Sequence, residues 1–126
     1  MNYRSPIAQA RGLGASKEGV AHWWRLRVTA LALIPLAFWL VIAIARWPRA
    51  SHAEFVAWVS APWNSVFLLA TIFVAFQHSG LGLQVIIEDY VHINWLKILA
   101  IAIVKLLFGF LALAAVLASL RVVFMH

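Results

Sequence analysis

The sequence predicts an all-α membrane protein of three transmembrane helices in up-down-up order, preceded by a cytoplasmic N-terminal segment. Three observations carry that prediction. Of 126 residues, 65% are apolar and only 11% charged, whereas a soluble domain carries about 25% charged residues. Apolar stretches near residues 26–46, 64–88 and 96–120 are each long enough to cross about 30 Å of hydrocarbon. Polar breaks between them are short, and no internal repeat or low-complexity tract interrupts the pattern. The chain reads as one domain, 1–126.

Residues 1–24 are mixed in character, with Gly12, Gly14 and Gly19 spaced through them. They lack the short apolar core and small-residue cleavage site of a secretory signal. His22-Trp23-Trp24 stands where amphipathic rings favour the membrane interface. Residues 5–20 are either part of an interfacial anchor or a docking segment for a soluble partner. The first span contains Pro35, which is expected to bend it, neighbouring helices satisfying the freed carbonyl. Ser51-His-Ala-Glu54 has the spacing of a capping box and predicts a short interfacial helix. Asn64 and Asn94 are expected to cap the second and third spans.

The net charge of +6 does not indicate nucleic acid, because of where the cations fall. Arg4, Arg11, Lys17, Arg25, Arg27 and Lys97 lie on one side of the predicted spans, and Arg46, Arg49 and Arg121 on the other. The excess of Lys and Arg places the N-terminus in the cytoplasm and the C-terminus outside. The chain has no cysteine, which excludes disulfides, iron–sulfur ligation and thiol catalysis by this chain alone.

The second span carries the candidate chemistry. His78 lies deep in its apolar run, and Asp89 and Tyr90 close it. Ionisable groups within membrane spans are costly and mark function by default. On a helix turning about 100° per residue, Gly82, Val85 and Asp89 share a stripe with His78. Such a stripe can seat a flat group ligated by the histidine, Gly82 leaving backbone exposed one turn away. Gly80 and Gly82 equally suit close helix packing, and His78 equally suits a hydrogen-bonded packing role. His22, His52, His92 and His126 all fall near span ends. A haem held between two histidines therefore requires the second from another chain.

Tyr90 follows His78 by roughly 18 Å along the axis. It is either an interfacial anchor or a phenol that donates to a quinone carbonyl, with Asp89 relaying protons. Arg27 either snorkels to headgroups or pairs with a haem propionate or quinone site. Lys105 sits inside the third span and either snorkels or faces a polar pocket between subunits.

The pattern His78-x3-Gly82-x6-Asp89-Tyr90, followed by Val91-His92, resembles the hydrophobic membrane-anchor family of succinate dehydrogenase, respiratory complex II. Arg11-Gly-Leu-Gly-Ala-Ser-Lys-Glu-Gly19, His22-Trp23-Trp24 and Arg27-Val-Thr-Ala30 are similar to the N-terminal part of its alphaproteobacteria-like members. The resemblance extends over nearly the whole chain. It implies that His78 is one axial ligand of haem b, the other coming from the sister membrane anchor of the same complex. It implies that Tyr90 hydrogen-bonds ubiquinone with Asp89 near that site, and that Arg27 lies near the haem propionates and quinone pocket. It further implies flavoprotein and iron–sulfur partner subunits and a place in the bacterial inner membrane with the C-terminus periplasmic. The chain alone has no dicarboxylate site, so it is expected to be one part of an enzyme complex and not catalytic by itself. The alternative from another class is a small proton-conducting subunit using His78, Lys105 and Asp89, or a purely structural span protein without cofactor.

Overall fold

A computed structural model describes residues 16–46 and 50–125, with side chains from Gly19 onward. The expected docking role of residues 5–20 falls largely on positions outside that range, as does most of the N-terminal segment expected to be cytoplasmic. Four helices follow one another: α1 Ser16–Ala45, α2 His52–Ser60, α3 Pro62–Tyr90 and α4 Asn94–Phe124. Three are long and apolar enough to cross a membrane, with the candidate spans Gly19–Ala45, Pro62–Tyr90 and Asn94–Phe124.

The helices begin earlier than the apolar pattern suggests. α1 starts at Ser16 and runs unbroken through His22-Trp23-Trp24 and Pro35. An interfacial turn can stay helical because water and headgroups satisfy its first amides. The third span begins at Asn94, and α3 at Pro62, where proline suits the first helical turn because its missing N–H has no intrahelical partner there.

Those starts displace both expected asparagine caps. The N-cap of α3 is Ala61 and that of α4 is Ile93, neither with a side-chain cap. Asn64 instead points back, its Nδ2 donating to the Trp58 carbonyl at 3.0 Å. Ser65 Oγ likewise donates to the Val59 and Ala61 carbonyls. These side chains add donors at the α2–α3 junction, where the Trp58 carbonyl also accepts the Ala61 amide and the Ala61 carbonyl the Ser65 amide. The α2 start matches expectation. Ser51 Oγ accepts from the Glu54 amide at 3.3 Å, and Glu54 accepts from the Ser51 amide at 2.7 Å. Those bonds hold the Glu54 carboxyl below its ordinary range, the backbone bond from Ser51 contributing most.

α3 is the central element. It packs against α1 on one side and α4 on the other, while α1 and α4 make no direct helix packing among the described residues. The short α2 lies against α3 and α4. Its Trp58 stacks on Trp39 of α1 at 5.6 Å, and Trp39 also meets Phe67 of α3 at 5.4 Å. This aromatic cluster ties the loop end of α1 to α2 and α3.

Very little apolar surface is buried inside the chain. Val59 and Leu81 are the buried apolar side chains among the described residues, while Phe38, Leu106 and Phe110 stand two-thirds exposed or more. A soluble protein could not tolerate this. Lipid tails and neighbouring spans can cover such surface, because between membrane helices there is no hydrophobic penalty to drive self-burial.

Candidate functional site

The His78 side chain is placed by two helices. It is half-buried on the α1-facing side of α3, and its Nδ1 lies 3.0 Å from the Thr29 Oγ1 of α1. Thr29 also reaches the Arg25 carbonyl at 2.7 Å and the Leu26 carbonyl at 3.1 Å within its own helix. A threonine hydroxyl bonding back to the previous turn is a common way to satisfy it in an apolar helix. Here the same oxygen bridges two spans.

The opposite ring nitrogen, Nε2, makes no hydrogen bond among the described residues. One turn along α3, a Cβ built on Gly82 would meet no atom within 4 Å. An imidazole anchored through one nitrogen, with open space at a glycine one turn along its helix, fits a histidine that could hold a flat macrocycle. Among the described residues no three His, Cys, Asp or Glu side chains gather into a metal-binding group. The other histidines of the chain, His22, His52, His92 and His126, fall near span ends.

The remaining candidates are dispersed. Asp89 and Tyr90 are exposed at the end of α3, Tyr90 at 79%. They lie roughly 17–18 Å along the axis from His78, so the two ends of the stretch serve different loci. Gln84, in between, donates to Glu88 at 3.0 Å. The Arg27 guanidinium stands over the Trp23 ring, 5.4 Å from its centroid. Thr29 follows Arg27 by two positions, about 200° around the helix. Arg27 is therefore on the face of α1 that looks away from His78.

Arg25, given no role by the sequence, is the arginine on the Thr29 face. It lines a groove of about 430 Å³ along α3 and α4 with Gln77, Gln84 and Lys105. Lys105 thus lines a mostly apolar groove within this chain, walled by Phe76 and Phe108, whose rings meet edge-on at 5.9 Å. Gly80 lets Phe108 approach, its missing Cβ lying 3.6 Å from the ring. His22 is a second unanticipated feature, with a buried Nε2 that has no hydrogen-bond partner among the described residues.

Thr29 is the partner of His78 that sequence reasoning passed over. It stands inside Arg27-Val-Thr-Ala30, yet a threonine in an apolar run has several structural uses. The signal that could have found it was spacing: His22, Leu26 and Thr29 fall on one stripe of α1, a polar residue at each end.

Residues 1–118 match the family described as Succinate dehydrogenase/Fumarate reductase transmembrane subunit. The chain belongs to that family. Among curated members, it is 34% identical over 116 residues to the succinate dehydrogenase hydrophobic membrane anchor subunit of Rickettsia bellii, covering 90% of each chain. The corresponding protein of Rickettsia typhi is 33% identical over 106 residues, with 83% of this chain and 84% of the relative covered. That of Paracoccus denitrificans is 30% identical over 120 residues, with 95% and 92% covered. Membership in this transmembrane family and three apolar helices together make the chain a multi-pass membrane protein.

Proposed function

We propose that this chain is the hydrophobic membrane anchor of a bacterial succinate dehydrogenase, contributing half of a haem b site and part of a ubiquinone site. The observation that carries the proposal is the half-built centre at His78. One imidazole is held by Thr29, its outer nitrogen makes no hydrogen bond among the described residues, and the chain's other histidines fall near span ends. His78 would hold the haem from this chain, and the sister membrane anchor would supply a second ligand. A flavoprotein and an iron–sulfur protein, docked on the cytoplasmic side, oxidise succinate and pass electrons toward the membrane. The complex sits in the inner membrane with the N-terminus of this chain cytoplasmic and its C-terminus periplasmic, in keeping with the Lys and Arg distribution.

Each residue then has a definable task. His78 offers a neutral nitrogen lone pair to iron, and haem b supplies one-electron storage when bound. Quinone reduction consumes two electrons and two protons, so its site must be reachable from water. Tyr90 and Asp89 suit that need, being exposed at the end of their span. The Tyr90 hydroxyl donates to a ubiquinone carbonyl, and the Asp89 carboxyl passes protons from water. Arg27, turned from the His78 face of α1, provides positive charge at the same end of the spans, where a haem propionate or quinone pocket of the assembled complex would have to reach it.

The proton-conducting alternative needs His78, Lys105 and Asp89 on one route. They diverge: His78 bonds Thr29 of α1, Lys105 lines the α3–α4 groove, and Asp89 is exposed beyond both. The haem-anchor reading uses each where it stands.

Two substitutions test the proposal in the complex purified from membranes. His78→Ala is expected to abolish or strongly perturb the reduced-minus-oxidised haem absorbance, and an unchanged spectrum refutes the ligand assignment. Tyr90→Phe is expected to slow ubiquinone reduction, by roughly 100-fold if the phenol acts in proton transfer. Succinate oxidation by an artificial acceptor should persist. Equal loss of both activities would assign Tyr90 to assembly instead.

A further inference from the structure

We infer that Thr29 is a positioning residue for His78, fixing both its tautomer and its ring orientation so that Nε2 is the nitrogen presented to a metal. The inference rests on the haem reading of His78 and adds to it the residue that makes the histidine a competent ligand.

Counting protons fixes the direction of each bond. Thr29 Oγ1 has three neighbours within hydrogen-bond distance: the Arg25 carbonyl at 2.7 Å, the Leu26 carbonyl at 3.1 Å and His78 Nδ1 at 3.0 Å. The hydroxyl carries one proton, and carbonyl oxygens only accept. Its two contacts with carbonyls, one of them the shortest of the three, are favourable only if Thr29 donates back along α1. The third contact must then receive its proton from the imidazole, Nδ1–H donating to Oγ1. A neutral imidazole has a single N–H. With that proton on Nδ1, Nε2 holds the free lone pair.

The reverse assignment is worse on every contact. If Thr29 donated to Nδ1, both carbonyls would face an oxygen lone pair, and Nε2 would carry the proton and be unable to bind iron. The bond also crosses 49 residues of sequence and joins α1 to α3. It therefore limits rotation of the ring about χ2 as well as selecting the tautomer. Metal-bound histidines characteristically donate their second N–H to an oxygen acceptor, which raises ligand basicity and sets the ring plane. Thr29 meets that requirement from within this chain, before any partner is added.

Three substitutions in the assembled complex test this: Thr29→Val, Thr29→Ala and Thr29→Ser, with His78→Ala as the reference. Loss of such a supporting contact typically weakens metal binding roughly 10–100-fold. Thr29→Val and Thr29→Ala are expected to lose haem on purification to a comparable degree at unchanged subunit stoichiometry. Haem that remains should show a shifted low-spin ferric electron paramagnetic resonance signal, because the ring plane is no longer held. Its midpoint potential should rise, since a less basic imidazole favours the ferric state less. Thr29→Ser keeps the hydroxyl and should restore all three readouts.

If Thr29→Val does not assemble, the smaller Thr29→Ala compared with Thr29→Ser decides the question. Wild-type haem content, signal and potential in Thr29→Ala would overturn the role of Thr29, as would identical behaviour of Thr29→Ala and Thr29→Ser. Should His78→Ala retain a normal haem spectrum, the ligand reading itself falls, an outcome distinct from failure of the Thr29 inference alone.

Discussion

The two flanks of α3 are built on different physics. Toward α1, contact includes a polar bond, His78 Nδ1 to Thr29 Oγ1, with Gly82 nearby leaving open space. Toward α4, contact is a matter of shape, Phe76 and Phe108 meeting edge-on with Gly80 making room. The first arrangement fixes the direction of one side chain and keeps the space beside it clear. The second brings two helices together through ring contacts, beside a groove of about 430 Å³ that the same rings line. A hydrogen bond between spans adds only about 0.6 kcal/mol of fold stability on average; what this one contributes is direction, since one proton placement satisfies all three contacts of Thr29 Oγ1. Aromatic packing of about 0.5–1.5 kcal/mol per pair has no such directional output. One flank is thus suited to chemistry and the other to assembly.

Leucine at each of the two glycines separates these roles most sharply. Gly82→Leu places a side chain where this chain has nothing within 4 Å. It is expected to leave the packing of α1, α3 and α4 intact and yet remove haem from the complex, read as near-complete loss of haem absorbance at normal subunit stoichiometry. Retained haem would mean that the open face beside Gly82 is not the cofactor seat. Gly80→Leu is expected to do the opposite, forcing Phe108 aside at a cost of about 1–3 kcal/mol. The measurable result is lower thermal stability of the detergent-solubilised complex. Gly80→Ala adds a Cβ at an ordinary 3.6 Å contact and should be nearly silent in the same assay.

The smallest expected effect lies away from both flanks, at the capping box of α2. Ser51→Ala should cost about 1 kcal/mol of local helix stability, seen as faster amide exchange over residues 52–60. The Glu54 carboxyl is held below its ordinary range by the Ser51 backbone bond. Its contribution is therefore present above the unfolded carboxylate range and lost as pH falls through the lowered folded value. Amide exchange in α2 should accelerate in acid, and Glu54→Gln should flatten that dependence. A pH response unchanged in Glu54→Gln would assign it to another group.

Helix existence was legible throughout, because an apolar run of about 20 residues has few alternatives to a membrane helix. Helix starts were less so. Asn64 and Asn94 have good capping side chains, but the helices start at or ahead of them, leaving Asn64 to serve a carbonyl of the preceding helix. His78, Asp89 and Tyr90 stood out because ionisable and polar groups are rare in such sequence. Thr29 and Arg25 did not, since their importance depends on which helix face meets α3, and in a mostly apolar helix the stripe through His22 and Thr29 is a faint sign of it.

The amino-acid sequence alone determined the class of this protein, three apolar spans with candidate chemistry concentrated in the second, because hydrocarbon admits only helices of sufficient length. It also implied that any two-histidine centre at His78 is half a site, since no other histidine shares its depth. The tertiary structure alone decided which residues stand against that histidine. It put Thr29 on Nδ1, turned Arg27 toward Trp23, and gathered Arg25 and Lys105 along another groove. The reason is geometric: the order of residues sets depth along each helix, but only packing sets rotation about its axis.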